Sequence, residues 1–428
     1  MKALRITSRV LLGLLFIFSG YVKAIDPIGS ELIFIADFQA FHMEFFSPFA
    51  FIIGILLSTA ELALGFCLLM GLRMNLTAWA TAAFMGFFTV FTLILAIFNP
   101  VTDCGCFGEA IKMTNWETFF KNVILDIFVV IVFLERKKYR PLSNCRNEFI
   151  TGGAFTVCMI LLSVYCLRHL PLIDFLPYKV GVNIQQAMEI PEGAPQDVYE
   201  TTLIYEHATE GRRTFTLQDY PQDDPSWQFV ETINVLKKEG YQPPIADFSI
   251  NSNEWEHITD EILSLSGYLF MVTMPHADKA SLSHTDKINA INEYVLRHDG
   301  MYFIGLSGSA AEKVEQFVEQ TSAEYPIYFT DEKPLKSMVR SNPGLLLLHN
   351  GTIIAKWSHS DIPSIKALES KYLSKNPDKL IAEHQTWEKL TSQLLVVVLF
   401  VIMIMLAYCF RKYGPKKECD ANSRTLSA

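Results

Sequence analysis

Six uninterrupted apolar stretches, near residues 7–25, 48–71, 75–98, 116–134, 149–168 and 393–410, constrain this chain more than any other feature. Crossing about 30 Å of hydrocarbon takes roughly 17–25 helical residues, and each stretch approaches or exceeds that length. Half of the 428 residues are apolar, yet 19% are charged, so neither one soluble domain nor a purely intramembrane protein fits. The expected fold is a six-helix membrane bundle with a large extramembrane region between the fifth and sixth helices. The first stretch follows Lys2, Arg5 and Arg9 in signal-peptide fashion, but Lys23 interrupts the small-residue pattern of a cleavage site. It is read as an uncleaved anchor.

Short cytoplasmic loops retain Lys and Arg, which orients the spans. The N-terminus, the turn holding Arg73, the 135–146 loop (Arg136, Lys137, Lys138, Arg140, Arg146) and the tail (Arg411, Lys412, Lys416, Lys417) all belong inside. Six spans satisfy all four at once and place 26–47, 99–115 and 169–392 outside. The expected setting is a bacterial inner membrane with both termini cytoplasmic and the large region periplasmic. That region carries many more acidic than basic side chains, which excludes nucleic acid as a partner and leaves proteins, beside the membrane lipid itself.

Of the eight cysteines none falls between Cys166 and Cys409, so the external region holds no disulfide. Cys104 and Cys106 sit together in DCGCFG, residues 103–108, on the oxidising side. Asn99-Pro100 closes the preceding helix, and Thr114 with Glu117 forms a capping box for the next. The motif is therefore a short external loop held between two helix ends. A C-x-C disulfide closes a small strained ring of the labile kind, and Gly105 and Gly108 free the backbone to bend tightly. Redox exchange, a static crosslink and metal binding all remain open for the pair. Metal is the least favoured, because only His42, His169, Asp103 or Glu109 would complete a ligand set, and no metal is assigned. Cys166, near the outer end of the fifth span, is the candidate relay.

The chain divides into a four-helix membrane unit (1–135), a fifth helix (136–170), a linker with a hairpin and a helix (171–243), an α/β region (244–390), and the sixth helix with its tail (391–428). Residues 30–46 suit a helix lying in the membrane interface. Val198–His207 and Thr214–Leu217 form the hairpin, and residues 225–240 are expected as a helix ended by Gly240. From Pro244 the pattern alternates: strands at 245–250, 268–274, 301–306 and 327–330, helices at 259–265, 285–297 and 310–321. A hairpin of 345–349 with 352–358 closes around Asn350-Gly351.

This order, opening with the PxxDFSI-type stretch Pro244–Ile250, resembles the thioredoxin fold. In that family redox cysteines follow the strand matching YLFMVTM; here the stretch is MPHADKAS, 274–281, with no thiol. The resemblance places the family's cis-proline at Pro343. It implies a degenerate thioredoxin-like external domain lacking CxxC. The first helix, RVLLGLLFIFSGYVKAIDP, with its SGxxKAxDP pattern, resembles the DoxX family, and with DCGCFG after the third helix the closer resemblance is to the methylamine-utilisation membrane proteins MauE. It covers residues 1 to about 135 and implies disulfide handling for exported proteins, with Cys104 and Cys106 as the working thiols. Fusion to a second domain departs from the short family pattern and points to a more general exported-protein role.

Glu61 and Asp126 are intramembrane carboxylates, costly there unless bonded or functional. Lys23 is expected to extend to the outer surface, with steadying a thiolate or a quinone oxygen as the alternative. His276 and His284 read as exposed loop residues, and Trp227, Trp255 and Trp357 as core. The preferred reading is a thiol–disulfide component exchanging with exported-protein thiols or a periplasmic redox protein, with a quinone as the conceivable acceptor and no cofactor assigned. Its rivals are a non-catalytic scaffold that binds an exported partner and a transporter using Glu61 and Asp126.

Overall fold

The computed structural model describes residues 2–101, 103–207, 211–222, 224–238 and 240–413. The apolar stretches form α1 (Lys2–Ile25), α3 (Ala50–Met70), α4 (Met74–Phe98), α5 (Asn115–Leu134) and α6 (Cys145–Arg168), while α2 (Pro27–Ala40) follows α1 across a single residue, Asp26. Helices α1 and α3 pack closely along their length, because Gly20 and Gly65 let the backbones meet. A Cβ on Gly20 would lie 2.8 Å from the Leu62 nitrogen, and one on Gly65 2.7 Å from that of Ile17. In lipid, where apolar side chains gain nothing by leaving solvent, such small-residue contacts drive helix pairing.

Among the described residues four helices are long and apolar enough to cross a membrane: Lys2–Ile25, Glu44–Met70, Met74–Phe98 and Cys145–Arg168. The expected spans at 116–134 and 393–410 are not among these four. Helix α5 has 20 residues but carries Glu117, Lys121 and Asp126. It nevertheless packs on α4 and α1, and Thr89 Oγ1 donates to Asp126 Oδ2 at 2.7 Å, which settles that carboxylate within the bundle. The expected 393–410 span falls within the helix Pro377–Tyr413, and many of its side chains lie outside the described residues.

Of the basic residues assigned to one face, those of the N-terminus, Arg73 and the 135–146 loop gather at one end of the bundle, while the tail's Lys416 and Lys417 lie outside the described residues. Arg5 pairs with Glu135 at 3.7 Å, and the Arg5 and Arg9 guanidinium groups lie over the Tyr139 ring. Glu148 accepts from the backbone N–H groups of Arg73, Leu142 and Ser143. The other end carries α2, the 99–114 loop and the domain that follows α6.

That domain contains two sheets. Strands β1 (Val198–His207), β2 (Gly211–Thr216) and β3 (Trp227–Lys238) form an antiparallel sheet ordered β2-β1-β3. Residues 227–238 thus form a strand where a helix was expected. The aromatic and β-branched side chains there fit both periods, and pairing with β1 decides: Phe229 meets Tyr205 edge-on at 5.6 Å.

The larger sheet, ordered β6-β5-β4-β7-β8, comprises β4 (Tyr268–Met274), β5 (Met301–Ser307), β6 (Ile327–Phe329), β7 (Gly344–His349) and β8 (Thr352–Ser358). Its β4-β5 and β5-β6 pairs are parallel, β4-β7 and β7-β8 antiparallel. Alternate residues fill two cores, Phe270, Val272, Leu345 and Leu347 on one face, Leu269, Met271, Leu346 and Leu348 on the other. A sheet covered on both faces explains why these strands read as continuous apolar runs. Residues 245–250 form no strand; the segment lies against the sheet through buried Ile245, Phe248 and Ile250, and Asn251 bridges to Phe329. Trp255, expected in the core, is 76% exposed and stacks on Phe329.

Arg340 ties this domain to the membrane unit. Its Nε and Nη2 donate to the Asp26 carboxylate at 2.9–3.1 Å, Nη1 donates to Lys336 O, and the side chain is 3% exposed. Asp26 meanwhile accepts from Gly29 N at 2.9 Å, capping α2. Removing one member of such a buried pair costs about 3 kcal/mol. Arg340→Ala is therefore expected to speed amide hydrogen exchange over residues 26–31 in the membrane-embedded protein, whereas unchanged exchange would show that Arg340 does not hold α2.

Candidate functional site

The 99–114 loop is fixed at both ends before its cysteines are considered. Asn99 ends α4 in the left-handed conformation, and Asn115 Nδ2 donates to Asn99 Oδ1 and Val101 O. The Thr114/Glu117 capping box is formed in full. Within the loop, Asp103 Oδ1 accepts from Gly105 N at 3.0 Å and Gly105 O from Gly108 N at 2.9 Å. Gly105 has φ +62°, and a Cβ there would lie 2.5 Å from Ile33 Cδ1 of α2. Only glycine meets both conditions. Gly108 likewise has φ +53°.

Beneath the loop lies a polar network inside the membrane unit. Lys23 Nζ donates to Glu61 Oε1 at 2.6 Å and to Ser19 Oγ at 3.2 Å. The Ser19 hydroxyl lies 2.8 Å from both Glu61 Oε2 and the Cys106 carbonyl oxygen, and its single proton serves one of them at a time. Lys23 is 8% exposed, so the expectation that it reaches the outer surface is corrected: Glu61 on α3 offers a charge partner without the side chain leaving the bundle. Glu61 bonds to α1 rather than to its own neighbours.

These groups line one cavity of about 80 Å³. Cys104, Gly105, Cys106 and Phe107 supply one wall, Lys23, Glu61 and Ser19 the polar floor, and Lys121 and Asn122 of α5 a side. Asp37 of α2 and the rings of Phe34, Phe84, Phe88 and Phe91 complete it. Lys121 Nζ lies 4.3 Å from the Phe107 ring centroid.

Both thiols of the pair are free, Cys104 buried and Cys106 half-buried. They are electrostatically unlike. The Cys104 thiol donates to Cys106, and this together with burial holds Cys104 far above the ordinary thiol range. The same bond pulls Cys106 down to about 7 against its own burial, helped by Lys121 and Lys23 and opposed by Glu61. The pair is thus one nucleophilic sulfur backed by one protonated neighbour.

Cys166 does not join them. It is buried beside Tyr21 and Asp26, outside the cavity lining, because α6 packs on the flank of α3 and α1. Asp126 is likewise outside. The Asn342–Pro343 bond is cis, just before β7, and Asn342 Nδ2 donates to His276 O in the cysteine-free stretch. His276 pairs with Glu332 at 3.2 Å. Sequence reasoning did not single out Ser19, Lys121 or Asp37. The available signal was spacing: Ser19 stands four residues before Lys23 on one helix face, as Ile33 does before Asp37.

Comparison with known proteins follows the same division. A family model described as methylamine utilisation protein MauE matches residues 1–134. A domain of unknown function, DUF8463, matches residues 199–239, the three-stranded sheet. The chain is similar to protein TlpB of Flavobacterium psychrophilum, 29% identical over 167 residues, which cover 36% of this chain and 42% of that protein. It therefore spans less than half the length of that relative. No solved structure matches. The matched residues 1–134 coincide with the helical unit, and a mixed-sheet domain follows.

The unlike thiols give a pH signature. A lowered thiol pKa means that thiolate is already present near neutrality and rises as pH increases through it. Alkylation of Cys106 in the reduced protein is expected to reach half its limiting rate near pH 7, with Cys104 unreactive until far more alkaline conditions. Equal rates at the two cysteines, half-maximal near the ordinary thiol pKa, would contradict the asymmetry.

Proposed function

We propose that this chain is a membrane thiol–disulfide component in which Cys104 and Cys106 exchange with thiols of an exported protein or of a periplasmic redox protein. One observation carries the reading: two free thiols, Cys104 and Cys106, lie together on one cavity in a loop fixed over a buried Lys23–Glu61 pair, with the Cys106 thiol lowered by its neighbour Cys104 and by Lys121 and Lys23. Such a pair is poised for attack by Cys106 on a partner disulfide and resolution by Cys104. The MauE match over residues 1–134 supports it. The gathering of Arg5, Arg9, Arg73 and Arg136 opposite the loop supports a cytoplasmic basic end and a periplasmic cysteine loop in a bacterial inner membrane. In the reverse direction, where client thiols reduce the Cys104–Cys106 disulfide, a quinone is the class of acceptor that would reoxidise the pair, and Lys23 and Lys121 are the cavity cations that would face its oxygens.

In this proposal the larger sheet is a thioredoxin-like domain without redox cysteines, and it presents the client rather than reacting with it. Its strand order and the placement of Pro343 against the 274–281 stretch support that reading. A non-catalytic scaffold is the second reading, favoured by the lack of any cysteine from residue 167 to 408.

The two separate cleanly. Cys104→Ala is expected to accumulate mixed disulfides between Cys106 and exported proteins, because the resolving thiol is gone, and the Cys104→Ala, Cys106→Ala double variant to form none. If the double variant captures the same partners by non-covalent pull-down and the single variant traps nothing covalently, the scaffold reading replaces exchange.

A further inference from the structure

Asp37 is the group on this cavity that the exchange chemistry has not yet used. It is 7% exposed, and no hydrogen bond or ion pair holds its carboxylate among the described residues. Its direction is set by the helix. Ile33, four residues earlier on α2, packs against Gly105, so Asp37 stands one turn along the same face and lines the cavity with both thiols. Burying an unpartnered carboxylate costs free energy with no structural return. Helix α2 spans 14 residues, begins at the Asp26 cap held by Arg340, and is thereby pinned over the loop.

We propose that Asp37 is the proton acceptor for the Cys104 thiol in the step that closes the Cys104–Cys106 disulfide. This rests on the exchange reading above. The Cys106 thiolate first attacks a sulfur of the partner disulfide; that S–S bond breaks and one partner thiolate leaves. Cys104 is still a protonated thiol and a poor nucleophile. Its proton passes to the Asp37 carboxylate, directly or through one water, for which the cavity has room. The Cys104 thiolate then attacks Cys106 Sγ, the Cys104–Cys106 bond forms, and the second partner thiolate is expelled. The partner disulfide gains two electrons, the pair loses two, and the proton resides on Asp37.

The charges facing Asp37 give the step its timing. Burial, then the negative charges of Cys106 and Asp103, raise the Asp37 carboxyl to about 7. The remaining charged groups on the cavity are Lys23 from α1, Glu61 from α3 and Lys121 from α5, while α4 contributes only apolar side chains. Once Cys106 is bound in a mixed disulfide its charge is gone, one cause of the elevation disappears, and Asp37 ionises more readily. The acceptor becomes basic-ready at the point where Cys104 must lose its proton.

The test uses the full-length reduced protein in lipid nanodiscs, with the six cysteines outside the loop replaced by serine in every variant including the reference, and dipyridyl disulfide, whose leaving thione is coloured. The reference is expected to release a first equivalent as Cys106 is captured and a second as Cys104 closes the ring. In Asp37→Asn the first release should be as fast or faster, since a negative charge near Cys106 is removed. The second should slow about a hundredfold, within the range for loss of a proton acceptor, and lose its rise through neutral pH. Asp37→Glu should restore much of the second phase, and a first phase of normal amplitude in each variant reports an intact site. A second phase unchanged in Asp37→Asn would overturn the role of Asp37 alone. A reference protein that never releases the second equivalent would overturn the exchange reading, and Asp37's role with it.

Discussion

The Lys23–Glu61 ion pair is the constraint on which the arrangement depends. Each charge alone would be costly within the membrane unit, and at 2.6 Å with Ser19 bridging they are kept as a unit between α1 and α3. That fixes the rotation of both helices, which the glycine contacts at Gly20 and Gly65 then bring close. Because Ser19 also reaches the Cys106 carbonyl, the pair fixes the height of the loop above it. The cation and hydroxyl beneath the loop are therefore structural supports and electrostatic neighbours of the sulfur at once.

A second element of control comes from above. Helix α2 covers Gly105 through Ile33, contributes Asp37 to the cavity, and is capped by Asp26, which Arg340 grips from the sheet domain. The sheet domain is thus linked to the loop through one short helix. Arg340 lies two residues before Asn342, whose side chain bonds the cysteine-free 274–281 stretch, so that segment adjoins the contact that holds the cover of the cysteine cavity.

Much of this was legible in the sequence, and the failures share a cause. The loop announced itself because its determinants are local: Asn99, Gly105, Gly108 and the Thr114/Glu117 box act over a few residues. Strands 268–274 and 352–358 were read with their full bounds, because a doubly covered sheet writes itself as an apolar run. Residues 227–238 misled, since their apolar spacing suits either period and only the distant β1 decides. Lys23 misled for the same reason. Its partner stands 38 residues away, and a lysine near a helix end ordinarily reaches for water. Asp37 lies within the expected interfacial helix 30–46 with no local sign of a role, because its meaning depends on a loop more than sixty residues later folding against Ile33.

The central claim is that the Cys104–Cys106 pair cycles. Differential thiol labelling in intact cells, read by mass on the peptide spanning residues 103–108, tests it most directly. The account predicts coexisting dithiol and disulfide forms whose ratio follows an externally applied reductant or oxidant within the growth period. A loop found wholly oxidised or wholly reduced under every condition would contradict it and leave the pair a staple or an inert couple of thiols.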